Sequence, residues 1–206
     1  MVWEVQTDEP MIALTFDDGP DPVQTLKVLD VLSAYQAKAT FFVVGEQADL
    51  YPEVLRRTAE QGHELANHTY THLPISGGYL STSVLEDEIV RTEQAIRMAT
   101  GERPRLFRPP GGYCDVQAVR TIIDHNYKII LWSHHQDPED WKKPGVGKIV
   151  NKVLEHARNG DIILLHDRGE GADQTVEALE HILPALAERG FRFVTVSELL
   201  QHQRYI

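Results

Sequence analysis

Cysteine is nearly absent. Cys114 stands alone among 206 residues, which excludes an internal disulfide and leaves the redox compartment open. Basic residues are also scarce, with 20 Lys and Arg against 31 Asp and Glu. The resulting net charge of −11, with no basic cluster, makes nucleic acid an unsuitable partner. No apolar run approaches the ~20 residues a membrane helix needs, so no membrane span is expected. The opening residues, MVWEVQTDEP, lack the basic and apolar regions of a signal peptide. They are expected as an N-terminal extension, residues 1–10, to a single domain over 11–206. Low-complexity tracts and long like-charge blocks are missing too, which excludes disorder over most of the chain. What remains is 42% hydrophobic and 25% charged, the balance of one globular α/β domain.

Strand-like and helix-like patterns alternate along that domain. Apolar or β-branched runs at 11–16 (MIALTF), 39–44 (ATFFVV), 64–67, 106–107, 128–132 (KIILW), 161–165 (DIILL) and 191–195 predict seven strands. Between them, Leu26, Leu29 and Leu32 carry a helical spacing, and Pro52 and Gly62 bracket a second helix. Further helices are expected over about 81–100, 115–125, 149–157 and 175–189. Strands this continuously apolar imply parallel pairing beneath outer helices. Right-handed crossovers then give either a closed barrel or an open doubly wound sheet.

The placement of polar residues favours closure. Asp17 and Asp18 follow the first strand, His68 and His72 the third, and Arg108 the fourth. Residues 133–141 follow the fifth strand and His166 ends the sixth. An α/β barrel collects its active-site groups at these strand C-termini. Asp17-Asp18-Gly19-Pro20 serves as a turn and helix cap, or as two carboxylates with different jobs in one site. On extended chain the neighbours point apart, so they do not flank one bond as an acid–base pair. His68-Thr69-Tyr70-Thr71-His72 is an H-x3-H pair. In a helical turn it puts both imidazoles on one face, although ten histidines produce the spacing by chance as well. With one aspartate it makes a two-His, one-carboxylate set, suited to catalytic zinc and to non-heme iron. Arg108 bridges to a surface carboxylate or orients a catalytic one. Leu164, two residues before His166, faces the same way and would give a pocket one apolar wall beside a proton donor.

In order, TFDDGP (15–20), NHTYTH (67–72), RPPGG (108–112), Trp132-Ser133 leading to DPEDW (137–141), and ILLHD (163–167) resemble the five motifs of polysaccharide deacetylases. These are the NodB-homology enzymes of carbohydrate esterase family four. The resemblance runs from about residue 11 to 198. It implies a single-domain distorted (β/α)7 barrel and a divalent metal, most often zinc, with cobalt, nickel, manganese and iron as alternatives. It further implies Asp18, His68 and His72 as metal ligands, Asp17 as catalytic base, and Arg108 as its orienter. Asp140 would support His166 as general acid. Trp141 and Leu164 would hold the acetyl methyl, and the backbone N–H of Gly111 would stabilise the oxyanion. Gly111 stands where the family usually has an aromatic. In the fourth motif either His134-His135 is an insertion before Asp137 or His135 takes an aspartate's place.

The implied function is removal of N-acetyl groups from N-acetylglucosamine polymers such as peptidoglycan or chitin-type oligomers. A monomeric enzyme in a secreted or cell-surface setting is expected. An acetylxylan esterase would use the same groups. A non-catalytic glycan-binding barrel would keep Trp141 without needing the carboxylates and histidines, and an iron oxygenase would have no use for His166 or Arg108.

Overall fold

The computed structural model describes residues 1–75 and 80–204. Seven parallel strands form one curled sheet in the order β5-β4-β3-β2-β1-β6, with β7 against the start of β1. The strands are β1 (Met11–Asp17), β2 (Ala39–Val43), β3 (Glu64–Asn67), β4 (Leu106–Phe107), β5 (Lys128–Ile129), β6 (Ile162–His166) and β7 (Arg192–Phe193). Helices connect and cover them: α1 (Gln24–Ala34), α2 (Gly45–Leu50), α3 (Pro52–Glu60), α4 (Thr82–Thr100), α5 (Val116–Asp124), α6 (Val146–His156), α7 (Ala172–Glu188) and α8 (Val196–Gln201). This is the distorted (β/α)7 barrel.

Strand parity sorts the side chains into two cores. Ile12, Leu14 and Phe16 of β1, with Ile163 and Leu165 of β6, pack outward against α1 and α7. Each such buried Leu, Ile or Phe contributes roughly 1.5–3 kcal/mol. Met11, Ala13 and Ile162 point into the barrel, where Val5, Phe42 and Val196 join them. The same parity places Thr15 and Asp17 of β1, and Leu164 and His166 of β6, on the inner face as it opens at the top.

Residues 2–5 lie along the seam between β5 and β6. Val2 N–H donates to Ile129 O (3.0 Å), Leu131 N–H to Val2 O (2.7 Å), and Val5 N–H to Gly160 O (2.9 Å). Gly160 has φ +84°, and a Cβ there would overlap the Val5 carbonyl, so only glycine lets the segment lie this close. Higher up, Ser133 N–H reaches Ile162 O and Leu164 N–H reaches Gln136 O, both at 3.0 Å.

Four elements differ from expectation. The fifth strand is Lys128–Ile129 rather than 128–132, because Arg108 Nε and Nη2 take the carbonyls of Ile130 and Leu131 at 3.2 and 2.8 Å. The last strand ends at Phe193, since Thr195 turns to cap α8, its Oγ1 accepting from Glu198 N–H (3.2 Å). α8 itself, unannounced by a long periodic run, closes the bottom of the barrel with Val196 and Leu199. α2 is likewise additional.

Candidate active site

β1 ends where its chemistry begins. Asp17 is its last residue, turned inward and 4% exposed. Asp18 follows with φ +78°, a left-handed conformation that swings its carboxylate back beside that of Asp17. Arg108, fully buried after β4, donates from Nη1 to Asp17 Oδ1 (2.7 Å) and to Thr15 Oγ1 (2.9 Å). Its guanidinium sits 4.0 Å from the centroid of the Phe42 ring. Each nitrogen of that fork donates, so one Asp17 oxygen is fixed while Oδ2 faces His68.

The two histidines meet, but not through a helical turn. Thr69 and His72 have φ of +68° and +57°, and residues 68–72 form a loop. The loop is held from outside the motif. Buried Glu88 of α4 accepts from the N–H groups of Tyr70 and Thr71 (2.8 and 2.7 Å) and from the Thr71 hydroxyl. Asn67 Oδ1 accepts from Thr69 N–H. A helix here would leave Glu88 without those donors. His68 Nδ1 lies 2.7 Å from the Arg108 carbonyl, which only accepts, so Nδ1 carries the proton and Nε2 presents its lone pair.

Asp18 Oδ1 lies 3.5 Å from His68 Nε2 and 3.1 Å from His72 Nε2. These ligand atoms lie within 4.8 Å of one another. Asp18 Oδ1 is buried and has no hydrogen-bond donor among the described residues. Burial opposes its charge, yet the two histidines hold the carboxyl well below the usual range. A bare carboxylate oxygen facing two imidazole nitrogens suits a divalent cation, with room for a further ligand.

Across the opening, His166 ends β6. Its Nδ1 is 2.7 Å from Asp140 Oδ1, and its own N–H donates to Asp140 Oδ2 (2.8 Å). Thr175 of α7 donates to Oδ2 (2.6 Å) and Trp141 N–H to Oδ1 (3.0 Å). Burial pulls the imidazole pKa down, but the Asp140 hydrogen bond and charge outweigh it and push His166 up to about 9. Asp17, Asp18, His68, His72, Gly111, Trp141, Leu164 and His166 all line one cavity of about 460 Å³. Arg108 and Asp140 stand behind it, each holding one of those side chains. Asp137 is also in the wall. His135 is not, since it turns away to Asp161 (2.9 Å).

Sequence reasoning passed over Glu88, Thr175 and Asp167. Fully buried Asp167 accepts from Gly19 N–H (3.1 Å) and the Thr25 hydroxyl (2.5 Å), tying the Asp17–Gly19 bend to α1. A Cβ on Gly19 would strike that carboxylate. Burial pushes Asp167 up to about 7. Its position directly after His166 was the one signal available.

An inward carboxylate held by arginine, a carboxylate and two imidazoles gathered within ligand reach of one another, and a carboxylate-backed imidazole surround one cavity, an arrangement suited to metal-assisted hydrolysis. A family model described as polysaccharide deacetylase matches residues 4–130. The chain is 47% identical over 203 residues to a peptidoglycan-N-acetylglucosamine deacetylase of Bacillus cereus, covering 98% of this chain and 94% of that one. It is 42% identical to a chitooligosaccharide deacetylase of Sinorhizobium fredii, over 90% of this chain and 89% of the relative. A solved peptidoglycan N-acetylglucosamine deacetylase, in complex with a naphthalenyl N-oxidanyl-benzamide, superposes with a TM-score of 0.91 at 34% identity, covering 98% and 94% of the two chains. The chain belongs to the polysaccharide deacetylase family. No helix among the described residues is long and apolar enough to cross a membrane.

Proposed function

We propose that this chain, through its domain over residues 11–206, hydrolyses N-acetyl groups on N-acetylglucosamine-containing glycans, either peptidoglycan strands or chitin-type oligomers. The observation that carries this reading is the meeting of Asp17, Asp18, His68, His72 and the His166–Asp140 couple around one 460 Å³ cavity. Asp18, His68 and His72 would hold a divalent ion, zinc before cobalt, nickel, manganese or iron. Such an ion, when bound, lowers the pKa of water from ~15.7 towards ~7 and polarises the acetyl carbonyl.

The chain's own groups supply the rest. Asp17, with Oδ1 fixed by Arg108, receives the proton of the attacking water on Oδ2. The Gly111 N–H holds the developing oxyanion, a contribution of about 3–4 kcal/mol for one such donor. An amine leaves poorly unless protonated. His166, kept cationic by Asp140, delivers that proton from Nε2. Leu164 and half-exposed Trp141 give the acetyl methyl an apolar wall. A secreted or cell-surface monomer accompanies this reading.

The test is acetate release from N-acetylglucosamine oligomers, peptidoglycan and acetylated xylan in parallel, before and after chelation. Release from the first two, lost on chelation and regained with Zn²⁺ or Co²⁺, is expected. His72→Ala should no longer retain the metal. Release from xylan alone would make the chain an acetylxylan esterase. Glycan binding with no release would make it a binding barrel.

A further inference from the structure

Trp3 and His134 take no part in the chemistry above, yet both line a second cavity of about 180 Å³, together with Gly111, Gly112, Tyr113 and Trp132. Gly111, Tyr113 and Trp132 also line the reaction cavity, so the two hollows share an edge. The walls are built rather than incidental. A Cβ on Gly112 would come within 2.6 Å of the Trp132 ring, so glycine is what lets that indole lie against the backbone. Trp3 is anchored through its carbonyl, which accepts from Ser133 Oγ (3.2 Å). On either side of it, Val2 and Val5 are bonded to the barrel at Ile129, Leu131 and Gly160. The Trp3 and Tyr113 side chains nonetheless remain open to solvent, at 37% and 74% exposure.

We propose that this second hollow is a saccharide subsite for the uncharged pyranose ring adjoining the N-acetylated sugar in the reaction cavity. Trp3 and His134 then set a preference for oligomers over the single N-acetylated sugar. The proposal rests on the glycan-deacetylase reading above. A pyranose presents an apolar C–H face and a rim of hydroxyls. Trp3, Tyr113 and Trp132 offer aromatic faces for the first, and the His134 imidazole offers a hydrogen-bonding edge for the second. No Asp, Glu, Lys or Arg lines this hollow among the described residues, whereas Asp17, Asp18 and Asp137 line its neighbour. A neutral ring therefore meets no unpaired charge there, and a carboxylate-bearing one gains no partner. The irregular His134 in the fourth motif acquires a place on this reading.

The test compares kcat/KM of the metal-loaded full chain on the dimer and the monomer of N-acetylglucosamine. In Trp3→Ala the dimer-to-monomer ratio should fall about tenfold, through KM, as loss of one aromatic contact predicts. Trp3→Phe should recover most of it, and His134→Ala should lower the ratio less. An equal loss on both lengths would leave Trp3 as a mere fastener of the N-terminal segment, and no loss would leave the hollow unused; either result overturns the proposal. Should the unmodified enzyme release no acetate, the deacetylase reading fails by itself. Calorimetric titration with the same two sugars then decides the subsite. Dimer affinity weakened in Trp3→Ala supports it, and unchanged affinity refutes it.

Discussion

The two ends of β6 carry the same couple of side chains in different surroundings. At the top, His166 is paired with Asp140; at the bottom, Asp161, just ahead of the strand, is paired with His135. Both carboxylates are 1% exposed and richly bonded. Asp161 accepts from Gln136 Nε2 (3.1 Å) and Arg158 N–H (2.9 Å) besides His135. The difference lies in the other edge of each ring. His166 is held through Nδ1, so Nε2 is free at the cavity. His135 spends Nε2 on Asp161, and its ring packs edge-on against His156. A histidine–carboxylate couple delivers a proton to substrate only where the unbound nitrogen meets one. A parallel contrast holds for ligand groups. Glu4, His135 and Asp161 lie as close together as Asp18, His68 and His72, but Asp161 is saturated with donors where Asp18 Oδ1 is bare.

Breaking each couple should therefore give opposite signatures, starting with the largest effect. His166→Ala should reduce kcat/KM per folded molecule on N-acetyl oligomers by about 10²–10⁴-fold. Activated aryl acetates, whose leaving groups need no protonation, should lose much less. Equal losses on both substrates would remove the general-acid role.

Asp161→Ala should do the reverse. It leaves the buried Gln136 amide and the Arg158 N–H without their acceptor, which predicts a loss of about 2–4 kcal/mol in stability. For a chain of this length that is a fall in Tm of roughly 5–15 °C by calorimetry. Turnover per folded molecule should be retained. A large loss of turnover at unchanged Tm would contradict the assignment of this couple to the seam.

How much of this contrast could be read from the chain depended on range. Alternation of apolar runs predicted seven strands, and parity within DIILLHD put Leu164 and His166 on one side, whereas Asp17 was placed only at the end of its strand. Asp17, His68, His72, Arg108 and His166 stand next to strand ends, where local pattern picked them out. Asp140 as partner of His166 and the Gly111 N–H came only from the resemblance to the polysaccharide deacetylase motifs. The 68–72 loop was read as a helical turn because its two left-handed residues are enforced by Glu88, on an element twenty residues away. The fifth strand was overextended because a side chain, Arg108, captures carbonyls that a neighbouring strand would otherwise take. His135 was indistinguishable from a rim residue because its partner, Asp161, stands 26 residues on, just ahead of the next strand. Periodicity reports which face a residue occupies, and is silent about a partner supplied across the barrel.

Asp140→Asn sharpens the comparison through pH. In the folded protein His166 titrates near 9, above its ordinary value of 6.5, because the Asp140 contact outweighs burial. A raised pKa of this kind stabilises the fold fully below about pH 6.5 and is lost as pH rises through 9. The same group sets the alkaline limb of the pH–rate profile, since the acid must be protonated to act. Without the carboxylate the limb should move down towards 6.5, which at pH 8 predicts about thirtyfold lower turnover. Metal content should be retained. A limb that stays in place would mean that another group holds the proton.

The smallest effect is expected from His135→Ala, and it decides whether the lower couple is structural alone. His135 is about one-fifth exposed, and Asp161 keeps Gln136 and Arg158 as donors when the imidazole is removed. The stability loss should therefore stay within about 1 kcal/mol, a shift in Tm of a few degrees. Because His135 lines neither the reaction cavity nor the aromatic hollow beside it, KM and oligomer-length preference should be unchanged, unlike in His134→Ala. The alkaline limb should also stay where it is, since Asp140 and His166 are untouched. A limb that moved in His135→Ala and stayed in Asp140→Asn would invert the roles of the two couples, and the fourth motif would then have to be realigned with His135 in the aspartate's place.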